Sequence, residues 1–126
     1  MMRVLTFTLT GFLIAGCGSL QQFVAVPSSI DLEKVPRQTT EIMAQRYTYT
    51  PDEIHVKVGT LVTLKVTAMD GTHGFKLAAF GLDEKLEQHV TKVIEFYAGA
   101  KGEYDFQCSH FCGIGHFGMS GKVIVD

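Results

Sequence analysis

From residue 53 onward, apolar and polar positions alternate with the two-residue period of a strand that buries one face. Ile54, Val56 and Val58 stand against Glu53, His55 and Lys57. After a turn at Gly59 and Thr60, residues 61–67 alternate in the same way, so the two runs are expected to be neighbours in one sheet. Asp70, Gly71, Thr72, His73 and Gly74 make a turn-rich loop, and residues 75–80 resume extended character with His73 opening that strand. The charged residues 83–89 fit either a loop or a helical turn, and residues 90–96 alternate again. A turn at 99–102 leads into alternation over 103–107, and residues 121–125 close the chain as a strand. Short strands separated by turns, with little helical periodicity, predict an all-β chain folded as an antiparallel sandwich or barrel over residues 47–126.

The first third of the chain lacks this texture. Residues 18–45 mix Pro27, Ser28, Ser29, Pro36, Thr39 and Thr40 with short apolar pairs, which reads as a tether. A short helix over 39–46, capped by Thr39 or Thr40, is the alternative there. Before it, Arg3 precedes a stretch dominated by apolar residues over 4–16, too short to span a bilayer and consistent with a signal peptide. That stretch ends in Leu13-Ile14-Ala15-Gly16-Cys17, which resembles the lipobox of bacterial lipoproteins. The resemblance implies cleavage before Cys17 and lipidation of its thiol. Ordinary cleavage nearby would instead leave Cys17 a free thiol. The expected organisation is a signal peptide over 1–16, a tether over 17–46 and a domain over 47–126, with the mature protein anchored to a membrane by lipid without spanning it.

Composition changes this picture only by exclusion. Of 126 residues, 46% are apolar and 19% charged, as in a globular domain, and the formal net charge is −2. No basic stripe exists to neutralise phosphates, which argues against a nucleic-acid partner.

The candidate chemistry lies in residues 108–119, where Cys108, His110, Cys112, His116 and Met119 occupy one short stretch together with Gly113, Gly115 and Gly118. Two cysteines at this spacing fit a disulfide, an iron or zinc pair, or bridging thiolates. A structural zinc site wants four ligands in a closed set and has no use for a methionine, whereas thiolate, thioether and imidazole together suit copper.

The pattern Cys-x-x-x-Cys-Gly-x-x-His-x-x-Met, with a distant loop histidine at position 73, resembles the binuclear copper-A site of cytochrome c oxidase subunit II. The likeness runs from about residue 47 to 126 and implies a cupredoxin-like Greek-key fold. It implies that Cys108 and Cys112 bridge two coppers, that His73 and His116 each hold one of them, and that Met119 and the backbone carbonyl of His110 are weak ligands. It further implies electron transfer, with a c-type cytochrome as donor and possible association with subunit I of a haem-copper oxidase, in the cell envelope on the periplasmic or outer side. No residue is assigned a catalytic role.

The chain departs from the family at three points. Position 110 is His where glutamate is common, no tryptophan is present to receive the electron, and no membrane helix is evident. Two alternatives stay open. One is a mononuclear blue-copper site of His73, Cys112, His116 and Met119, and the other is copper storage or delivery to a respiratory oxidase. His55 and His89 are expected to face solvent, as is the acidic group Asp83, Glu84 and Glu87.

Overall fold

A computed structural model describes residues 24–126. The expected signal peptide and Cys17 lie outside the described residues. Among the described residues, nine strands make two sheets packed face to face: β1 (Arg37–Gln45), β2 (Thr48–Thr50), β3 (Glu53–Val56), β4 (Thr60–Ala68), β5 (His73–Leu77), β6 (Leu82–Leu86), β7 (Thr91–Ala98), β8 (Gly102–Gln107) and β9 (Ser120–Val125). One sheet has the order β2-β1-β4-β7 and the other β3-β9-β8-β5-β6. Among the described residues no helix is long and apolar enough to cross a membrane.

The all-β expectation holds, and the arrangement differs from it in three respects. Both sheets are mixed, because β1 runs parallel to β4 and β3 runs parallel to β9. The runs on either side of Gly59 do not pair with each other. β3 joins β9 while β4 lies between β1 and β7, so the turn carries the chain from one sheet across to the other. Each run still buries one face against the same core, which is all that alternation specifies. Val58 falls within this crossing and is exposed.

The third difference concerns the expected tether. Its last part is neither linker nor helix but β1, paired with β4 residue by residue from Arg37–Leu61 to Ala44–Ala68. Ile42 and Ala44 are buried there, so the sandwich begins ten residues before position 47. A parallel partner some two dozen residues away leaves no local trace beyond weak alternation. Residues 83–86 of the ambiguous charged stretch are likewise strand, part of β6, which pairs along β5. His55 and His89 are exposed, as expected.

The core between the sheets is aliphatic along β4, with Val62, Leu64 and Val66 buried, and aromatic toward one end. There Tyr49, Phe75 and Phe106 form a compact triad. Phe75 stacks on Phe106 at 4.8 Å between ring centres, and Tyr49 meets both edge-on at 5.9 and 5.1 Å. Edge-to-face contacts of this kind add to the gain from burial and lock ring orientation. The same core cluster takes in Cys108 and Met119, the two ends of the 108–119 loop.

Candidate metal centre

The β8–β9 hairpin carries the loop, and its two ends are tied together where the Cys108 N–H donates to the Met119 carbonyl at 3.0 Å. Within it, turns close from the His116 N–H to the Gly113 carbonyl and from the Gly118 N–H to the Gly115 carbonyl, at 3.2 and 3.1 Å. A short 3-10 turn, His116–Gly118, follows. Tyr47 lies flat beneath the loop: a Cβ on Gly115 would stand 2.3 Å from its ring, and one on Gly113 2.4 Å from its hydroxyl. Glycine is needed at both positions because the loop backbone touches that ring.

This folding brings five sulfur, nitrogen and oxygen donors of one loop together. The Cys108 and Cys112 sulfurs lie 3.5 Å apart. Cys108 Sγ is 3.0 Å from the His110 carbonyl oxygen. Cys112 Sγ is 3.7 Å from His116 Nδ1 and 3.8 Å from Met119 Sδ. Cys108 and Met119 are buried, whereas Cys112 and His116 are half-buried. The side chain of His110 is exposed.

His73 reaches the same place from the start of β5, the strand next to β8 in the same sheet. Its ring is fully buried, and its donor atom lies with the two sulfurs in a group spanning at most 4.8 Å. Nε2 meets Asp70 Oδ1 at 2.7 Å, and Nδ1 is buried with no hydrogen-bond partner. An unpaired buried ring nitrogen is costly and rare in proteins, and a lone pair held next to two thiols fits a metal ion. Asp70 itself is fixed by the Arg46 backbone N–H, which donates to Oδ2 at 2.8 Å. Partial burial pushes the pKa of Asp70 up, but the Arg46 N–H and the His73 ring outweigh it and hold the carboxyl below its usual range. Asp70 therefore stays a carboxylate, accepts from Nε2 and leaves Nδ1 free to ligate. This is the outer hydrogen bond that orients metal-bound imidazoles.

Burial pushes the Cys112 thiol up to about 11, helped by its hydrogen bond to Cys108 and by the charge of that neighbour. Without a cation this thiol resists ionisation, and a metal that draws off its proton relieves the conflict. Burial and the nearby thiols likewise raise the Tyr49 phenol, so its hydroxyl keeps its proton and can donate it. Its hydroxyl donates to the Gly74 carbonyl at 2.6 Å.

The structure thus brings together His73, Cys108, the His110 carbonyl, Cys112, His116 and Met119, while Cys17 lies outside the described residues. Asp70, Tyr47, Tyr49 and Gly74 were not singled out from the sequence for a role in the site. Asp70, three positions before His73 in a glycine-containing loop, is the one with a local signal. The tyrosines act through tertiary contacts that no spacing encodes.

The family model for a cupredoxin-like domain matches residues 13–125. The chain is 28% identical over 102 residues to cytochrome c oxidase subunit 2 of Thermus thermophilus, covering 80% of this chain and 76% of that protein. It is 29% identical over 92 residues to nitrous-oxide reductase of Ralstonia nicotianae, covering 70% of this chain but 14% of that much longer protein. Among solved structures, a chain of a heme-copper terminal oxidase dimer superposes with a TM-score of 0.69 at 26% identity, covering 75% of this chain and 67% of that one.

Proposed function

Since this chain belongs to the cupredoxin-like domain family, we propose that it passes single electrons through a two-copper centre of the copper-A type. Cys108 and Cys112 bridge, His73 Nδ1 and His116 Nδ1 each hold one ion, and Met119 Sδ and the His110 carbonyl complete the set. The observation that carries this reading is the buried, unpartnered Nδ1 of His73 beside two thiols whose sulfurs are 3.5 Å apart. A copper pair sharing two thiolates spreads one electron over both ions, so its geometry changes little between oxidation states. The protein keeps that geometry fixed: the loop lies on Tyr47, its ends Cys108 and Met119 are buried in the core, and Asp70 orients His73.

A mononuclear blue-copper site would use His73, Cys112, His116 and Met119 and leave Cys108 spare. The Cys108 sulfur, however, is buried in the middle of the cluster, 3.0 Å from the His110 carbonyl and 3.5 Å from Cys112. A bystander thiol there would be open to oxidation beside a redox metal, which favours the bridged arrangement. Storage or delivery of copper fits less well, because release would have to break bonds to buried donors on two separate segments.

Around the half-buried edge of His116 the surface is apolar. Phe111 is 67% exposed, Ile114 97% and Phe117 91%, and the rings of Phe111 and Phe117 lie 5.5 and 5.0 Å from the imidazole. Exposed apolar groups clustered at one spot mark contact surfaces, and here they supply what the missing tryptophan would have provided. The electron donor is a c-type cytochrome and the acceptor the subunit I of a haem-copper oxidase. The domain is tethered by lipid at Cys17 and works on the periplasmic or outer side of a membrane.

The test is the copper count and the spectrum of the reconstituted protein. Two coppers per chain with a purple, delocalised mixed-valence signal are expected, and one strongly blue copper per chain would overturn the reading. Within it, Asp70→Asn has a defined outcome. The amide cannot accept from Nε2–H with the strength of a carboxylate, so His73 loses its fixed tautomer. Copper affinity should fall roughly 10–100-fold, as when such outer partners are removed elsewhere, measured by competition with a copper chelator.

A further inference from the structure

The ladder between β5 and β8 is a single pair long, Lys76 with Gln107. Continued in register, it would pair Phe75 with Cys108 and then Gly74 with Ser109. In an antiparallel ladder a residue's N–H and C=O point to the same neighbouring strand, so both polar groups of Gly74 face the place where Ser109 would pair. Neither is taken by that residue. The N–H donates to Cys108 Sγ at 3.4 Å, and the carbonyl accepts from the Tyr49 hydroxyl at 2.6 Å. The strands therefore part at this point, and the two vacated bonds are redirected to a cysteine sulfur and a phenol.

Tyr49 is well placed to hold the opening in register. It is buried, its ring is gripped edge-on by Phe75 and Phe106, and its hydroxyl has one acceptor, the Gly74 carbonyl. On the other side, Gly74 lies so close to the loop that an added Cβ would stand 2.7 Å from the backbone nitrogens of Ser109 and His110. Gly74 is thus clamped between a phenol and the ligand loop, with its N–H aimed at the sulfur.

We propose that Tyr49 is a positioning residue for the copper centre: by holding the Gly74 carbonyl it keeps the Gly74 N–H on the Cys108 thiolate, and so sets the electron density on that bridging sulfur. An N–H donated to a ligating sulfur withdraws charge from it and favours the reduced state, one of the ways proteins tune such potentials. The inference rests on the copper reading above for its effect on potential, and on the polypeptide alone for its effect on Gly74.

The test compares Tyr49→Phe, which removes only the hydroxyl, with Phe106→Leu, which loosens the same triad and leaves the hydrogen bond in place. In the copper-free full-length protein, the Gly74 amide should exchange with solvent at least about tenfold faster in Tyr49→Phe than in Phe106→Leu, because a buried carbonyl has lost its partner and the strand edge is released. In the copper-loaded protein, Tyr49→Phe should lower the reduction potential and shift the sulfur-to-copper absorption while binding the same amount of copper. Phe106→Leu should lower the melting temperature without either change. Unaltered Gly74 exchange in Tyr49→Phe, or equal changes in both variants, would overturn the proposal. If neither protein binds copper, the proposed function fails and the exchange comparison still decides the role of Tyr49.

Discussion

Cys108→Ser is expected to abolish the two-copper centre, leaving at most one copper per chain and no delocalised signal. Serine has nearly the same shape, but its hydroxyl ionises far less readily than a thiol and is a hard donor poorly suited to copper. The loss goes beyond one ligand, because Cys108 Sγ lies among the other donors, against Cys112 Sγ and the His110 carbonyl. Without a second bridge, Cys112, His116 and Met119 can still gather one ion. The variant should therefore turn from purple to a mononuclear spectrum, checked by metal analysis and electron paramagnetic resonance. Its fold should persist, since the sandwich core lies below the loop. Two coppers with an unchanged spectrum in Cys108→Ser would mean that Cys108 does not bridge.

Gly74→Ala should be as damaging for a different reason. The new Cβ would stand 2.3 Å from Ser109 Oγ and 2.7 Å from the backbone nitrogens of Ser109 and His110. The hydroxyl can rotate away, but the backbone cannot, so the loop has to lift off β5 or β5 has to shift. Either movement pulls Cys108 away from His73, the immediate neighbour of Gly74. The cost to stability is about 1–3 kcal/mol, in the range for forcing a methyl group into a packed interior. The larger effect is on the metal: the donors on β5 and those on the loop fall out of register, and copper retention should be largely lost. Thermal unfolding of the copper-free protein measures the first effect and metal analysis after gel filtration the second. Retention of two coppers at full affinity would show that the contact is slack.

Much of the candidate site is legible in the sequence, because five of the six proposed donors sit in one loop where spacing is itself geometry. The cysteine, histidine and methionine positions in residues 108–119 limit how the loop can wrap, and Gly113 and Gly115 mark where its backbone presses on another group. His73 is legible only through its resemblance to the family. On its own it is a histidine in a loop, and Cys108 lies thirty-five positions further along. What brings them together is β5 lying next to β8.

Alternation along the chain determined that it is built of strands and which face of each is buried, because a two-residue period follows from the pleat alone. Donor chemistry within one loop pointed to soft-metal binding. Tertiary structure decided the rest. It sent β3 and β4 to opposite sheets although they adjoin in sequence, and it recruited residues 37–45 as a parallel strand. It set Asp70 behind His73 and Tyr49 behind Gly74. The reason is common to all of these: a buried face must be covered and a buried polar group must be paired, but a local pattern states only that need. Which segment meets it depends on long-range pairings, fixed only when the whole sandwich closes.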